Sequence, residues 1–173
     1  IEPIITLYVK LLAPQTGHLA LLSGLVFASS GISALLCAPW LGQLSDRIGA
    51  HKVIFAALLI GAVLFIPQSF VKNVWQLMAL RFGVGIATGA MLPSINTMLK
   101  QNTPAEAAGR IFSLNQSAQF LGVFIGSIMG GQIAAHWGIR NVFFVTSALL
   151  FINAADVYRN VFIKINSHAA AIR

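Results

Sequence analysis

The chain has 173 residues, 57% of them hydrophobic and only 9% charged, with a formal net charge of +7. Soluble domains carry about 25% charged residues, so a water-soluble fold of this size could not hide so much apolar surface. The surplus must face lipid or neighbouring spans. The cations stand singly at the ends of apolar runs, which is interface anchoring and excludes a nucleic-acid reader.

Ile1-Glu2-Pro3 has neither the basic start of a signal peptide nor an initiator methionine, and we expect the chain to begin inside a longer protein. A bilayer core of about 30 Å needs roughly 20 apolar residues in a helix. The apolar stretch at 4–12 falls short of that, so residues 1–12 read as the end of a truncated span. Complete spans follow at 19–41, 53–71, 75–99, 112–135 and 142–163, and 164–173 forms a polar tail. The links between them are brief, which forces neighbouring spans to run antiparallel. The runs lack the alternation of a membrane barrel, so the expected class is an all-α polytopic membrane protein.

Orientation follows from lysine and arginine. The side that holds the link 42–52, the link 100–111 and the tail carries Arg47, Lys52, Lys100, Arg110, Arg159, Lys164 and Arg173. The other side carries Lys10, Lys72 and Arg140. The excess places the first set, and the C-terminus, in the cytoplasm. Trp40, Trp75 and Trp137 fall near the span ends, as interfacial aromatics do.

Some residues do not suit lipid. Arg81 lies about 9 Å into its span, where a cation must snorkel to the interface or face the protein interior. Glu2, about 15 Å from the end of the truncated span, is a candidate proton or cation site, or else half of an ion pair with another span. Asp156 and Arg159 are spaced for a local ion pair.

Gly85 and Gly89 form a small-xxx-small step, and Gly122, Gly126 and Gly130 repeat it, which lets membrane helices approach closely. Gly130-Gly131 and Pro93 supply points of bending. Asn115, Gln116 and Gln119 lead into Phe120 and Phe124. Amides beside aromatics suit either a cavity for amphipathic molecules or hydrogen bonding between helices. The polar link 42–52 holds Asp46, one of only four acidic residues, with Arg47 and Lys52 close by.

No phosphate-binding loop, H-E-x-x-H or G-x-S-x-G sequence is present. His18, His51, His136 and His168 are scattered, and the single Cys37 cannot form an internal disulfide or a multi-cysteine metal site. We therefore expect no enzyme, metal or cofactor.

The sequence Gly42-x-x-x-Asp46-Arg47-x-Gly49 resembles the signature between paired helices of the major facilitator superfamily. Arg81-Phe82-x-x-Gly85 looks like the arginine-glycine motif of its even-numbered spans. Gly126-Ser127-Ile128-Met129-Gly130-Gly131 is similar to its antiporter motif, with serine replacing proline, and Trp137-Gly138-Ile139-Arg140 matches the turn before a terminal span. Within the superfamily the chain looks most like bacterial drug:proton antiporters, on the run Ala108-Gly109-Arg110-Ile111-Phe112-Ser113-x-Asn115-Gln116-Ser117.

The resemblance covers essentially the whole chain. It implies the C-terminal six-helix bundle, first helix truncated, of a proton-coupled multidrug exporter in a bacterial plasma membrane. That exporter would work by alternating access with an N-terminal six-helix half that this chain lacks. Gly42, Asp46, Arg47, Gly49 and Lys52 would form a cytoplasmic gate, weakened by Ala50-His51 where basic residues are usual. Arg81 would tune a proton site at Glu2, and Asn115, Gln116, Gln119, Phe120 and Phe124 would line the drug cavity. A transporter of sugars or other metabolites, and a non-transporting remnant of a broken gene, are the alternatives.

Overall fold

A computed structural model describes residues 2–14 and 17–159, with side chains from residue 4 onward. The described residues form helices and no strand: α1 (Glu2–Leu12), α2 (Leu19–Ile48), α3 (Ala50–Gln68), α4 (Val74–Asn102), α5 (Ala108–Trp137) and α6 (Ile139–Val157), with a 3-10 turn at Ala105–Ala107 before α5. By length and composition five of them, α2 to α6, can cross a membrane, α5 counted together with that turn. These helices are apolar on every side, as segments solvated by lipid and by one another must be. The tail 164–173 lies outside the described residues, as does the end of the last expected span.

The helix ends carry ordinary signals. Asn73 caps α4, its side-chain oxygen accepting from the Trp75 N–H at 3.3 Å. Pro104 follows the end of α4, which the residue before it cannot continue. Gly49 and Gly138 close α2 and α5 with φ of +99° and +86°, backbone that L side chains rarely adopt.

The link read as a loop at 42–52 is helical except at Gly49. α2 continues through Gln43, Leu44, Ser45, Asp46 and Arg47 to Ile48, and α3 starts at Ala50. Nothing in that polar stretch breaks a helix, and Arg47 in the last turn complements the helix dipole. The chain reverses on one glycine. The other helices also differ from the expected spans: α3 ends at Gln68 rather than 71, and α6 starts at Ile139 rather than 142. Trp40 is consequently eight residues short of the end of α2, although it is 80% exposed.

Since α3 separates them, α2 and α4 run parallel, and they form the most extensive pairing in the bundle. Small residues permit it. A Cβ on Gly85 would run into the Ser30 carbonyl and the Ser33 hydroxyl, and one on Gly89 would lie 2.8 Å from the Ala34 Cα. The Ser29 hydroxyl donates to the carbonyls of Val26, at 2.8 Å, and of Met78 across the interface, at 3.3 Å. α3 packs on α4 and α6, where the Ser147 hydroxyl donates to the Ala62 carbonyl at 2.7 Å. Ile5, Val9, Val26, Leu77 and Phe143 fill the largest apolar core and join α1, α2, α4 and α6. α5 is the least packed of the spans, touching α1 and α6 near its C-terminal end and α4 only slightly, and exposed along most of its length.

Candidate functional site

Three groups of residues carry the functional reading, and the fold keeps them apart. The first is the corner between α2 and α3. Gly49 donates its N–H to the Ser45 carbonyl at 3.0 Å, closing α2, and its own carbonyl accepts from Lys52 at 3.1 Å, opening α3. Both helices thus end on the same residue, and a Cβ there would lie 2.8 Å from the His51 ring. A Cβ added to Gly42 would lie 3.7 Å from the Pro93 Cβ of α4, so at the start of the motif α2 meets the proline of its parallel neighbour. Ser45 is buried, whereas Asp46, Arg47 and Lys52 are exposed at the end of the bundle. Their charges are available to whatever lies beyond this surface.

The second group surrounds Arg81, in the eighth position of α4 and about 10 Å along it. Arg81 is only 7% exposed, so of the two placements open to it in sequence the fold adopts the interior one. Its guanidinium carbon lies 5.8 Å from the centre of the Phe65 ring, within cation–π range. Phe65 stacks on Phe143 at 6.4 Å, and Phe143 meets Tyr8 at 5.1 Å. The Tyr8 hydroxyl donates to the Gln68 carbonyl at 2.9 Å and ties α1 to the end of α3. Gln68 is fully buried, its amide donating to the Leu64 carbonyl at 3.2 Å, and the Ser69 hydroxyl donates to the Arg140 carbonyl at 3.2 Å. Sequence reasoning missed Tyr8, Phe65 and Gln68. A glutamine placed directly after Pro67 at the end of an apolar run was the available signal. Glu2 opens α1, but its side chain lies outside the described residues.

The third group is on α5. Gln116, Phe120 and Phe124 recur every four residues along one stripe and are exposed, Phe120 by 66%. Asn115 and Gln119 lie on the adjacent stripe and are half-buried. Of the glycines read as helix packing, Gly130 meets the Ile4 side chain 3.0 Å from an added Cβ, while Gly122, Gly126 and Gly131 have nothing within 4 Å. Gly85 and Gly89 therefore pack within the bundle, and the stripe on α5 does so only at Gly130. Among the described residues no group of three or more histidine, cysteine, aspartate or glutamate side chains could hold a metal ion.

The sequence that builds this bundle matches a family model described as Major Facilitator Superfamily over residues 4–164. The chain belongs to the major facilitator superfamily. Members similar to it include multidrug resistance protein MdtG of Escherichia fergusonii, 48% identical over 153 residues, which are 88% of this chain and 38% of that protein. The proteins of the same name from Salmonella arizonae and Salmonella newport are 47% identical over 154 residues, 89% of this chain and 38% of theirs. The chain therefore spans less than two fifths of the length of these relatives. Superfamily membership makes it a multi-pass membrane protein, and its apolar helices agree.

Proposed function

We propose that the chain is the C-terminal bundle of a proton-coupled exporter of amphipathic drugs, embedded in a bacterial plasma membrane with its C-terminus in the cytoplasm. The observation that carries this reading is the identity of 47–48% with proteins named for multidrug resistance, sustained over nearly nine tenths of the chain. Its work is transport rather than catalysis. The relatives' additional length supplies room for a second bundle, and the two would rock about a shared central cavity.

In this reading the Gly49 corner is the cytoplasmic gate. Gly42, Asp46, Arg47, Gly49 and Lys52 hold charges at the end of two helices that are joined without slack, so a partner bundle that grips Asp46 or Arg47 pulls on α2 and α3 together. The exposure of both side chains supports this role. Arg81 supplies a fixed positive charge inside the bundle, beside Phe65, and tunes proton binding at Glu2. The stripe of Gln116, Phe120 and Phe124, with Asn115 and Gln119 beside it, faces the cavity that the second bundle completes. Amides and aromatic rings together suit cargo with an apolar body and a polar end.

Dye efflux tests the reading. Cells expressing the full-length transporter should extrude a cationic dye, and an uncoupler that collapses the proton gradient should stop them. Efflux that continues unchanged after collapse would remove proton coupling. Transport of sugars without dye extrusion would favour the metabolite alternative.

A further inference from the structure

An apolar crevice opens between α2, α3 and α4 just inside the Gly49 corner. Ala57 of α3 and Ala87 of α4 form its buried floor, and Leu44, Ile48, Ala56 and Ile60 form exposed lips. It encloses about 150 Å³ and has no polar lining. Apolar cavities of about this size stay dry and accept hydrocarbon. Those of its residues that lie on α2 and α3 are within eleven positions of Gly49, and so within about 17 Å of the helix ends. At that depth in a membrane the available hydrocarbon is a lipid acyl chain.

The mouth carries charge. Lys52 lies on the same stripe of α3 as the lip residues Ala56 and Ile60, one turn before Ala56, and Arg47 lies three positions after the lip residue Leu44 on α2. Both are exposed, as is Asp46, so the three together leave one net positive charge where a lipid phosphate would sit. Basic groups at the surface end of a pocket between membrane helices select anionic headgroups.

We propose that this crevice seats one acyl chain of an anionic phospholipid, with Arg47 and Lys52 holding its phosphate. The combination of a dry slot and cations at its surface end is what a phospholipid offers in reverse. An extended polypeptide segment would bring backbone amides into a slot that has no group to satisfy them.

Native mass spectrometry of the detergent-purified full-length transporter that contains this chain tests this, with phosphatidylglycerol and phosphatidylcholine of identical acyl chains as probes. The transporter should retain one phosphatidylglycerol in preference to phosphatidylcholine. Each buried methylene is worth roughly fourfold in partitioning, so Ala57→Leu on the floor, by displacing about two of them, should lower retention of both lipids about fifteenfold. Ala56→Phe, at an exposed lip where folding is not at stake, should do the same. One surface cation is worth about fivefold. The Arg47→Gln/Lys52→Gln double variant removes two and should therefore lose about thirtyfold in preference for phosphatidylglycerol while keeping phosphatidylcholine. Undiminished retention in both crevice variants would overturn the proposal, as would equal retention of the two lipids by the unaltered transporter. Absence of bound lipid from the full-length transporter would also overturn it, by showing that a protein segment fills the slot.

Discussion

Gly85 and Gly122 belong to the same kind of repeat in sequence, and the difference between them is what a single methyl group would meet. At Gly85 it would strike the backbone of α2, and at Gly122 it would enter open space. Gly85→Ala should therefore destabilise the bundle by about 1–3 kcal/mol through overpacking, while Gly122→Ala should stabilise it by up to about 1 kcal/mol through helix propensity. Denaturation in mixed micelles, followed by helical circular dichroism, reads both. Equal effects would mean that α2 and α4 are not apposed at this point. Tyr8→Phe should cost about 1 kcal/mol, the ordinary worth of one hydrogen bond, and should free α1 before the rest of the bundle unfolds. Site-resolved hydrogen exchange across α1 and the end of α3 would show this. Spacing alone showed that these glycines were suited to close packing. It could not show which of them pack, because that depends on a neighbour tens of residues away. Arg81 was legible as an anomaly for the same kind of reason, and its partner Phe65 was not.

At the scale of elements, Gly49 and Gly138 form a natural pair. Both hold a positive φ with extended ψ, at (+99°, +132°) and (+86°, +157°), where a side chain costs about 1–3 kcal/mol. An added Cβ at Gly138 meets nothing, whereas at Gly49 it meets the His51 ring. Gly49→Ala should accordingly be more damaging than Gly138→Ala, and His51→Ala in the same chain should remove the difference. Thermal unfolding of the three variants measures it; a penalty at Gly49 that His51→Ala leaves intact would assign the whole effect to the backbone. The helices themselves were legible from apolar length, and their antiparallel order from the brevity of the links. The extent of the corner is not legible in sequence, because its polar residues suit a loop as well as a helix end. Gln43, Asp46 and Arg47 are polar at the end of a bundle, where water reaches them, and a helix continues through such residues readily. Only the glycine stops it.

For the whole molecule, the order of the spans and the superfamily were readable in sequence, since both rest on local patterns. The pairing of α2 with α4 and the exposure of α5 were not, because they are set by packing across the bundle. The exposure of α5 predicts uneven stability. In native-state hydrogen exchange its amides between Phe112 and Gly126 should exchange well before those of α4 between Leu77 and Ala90, which are packed on two sides. Uniform protection along both helices would refute this. Adding the second bundle should slow exchange in α5 and leave α4 as it was.

The single-residue corner at Gly49 has a mechanical corollary. A long flexible link would let one helix tilt while the other stayed still, and force applied to either would dissipate in the slack. With helix on both sides of one residue, the only compliant coordinates are that residue's two dihedral angles. α2 and α3 therefore form a lever with a single joint, whose stiffness is set by the absence of a side chain at its fulcrum.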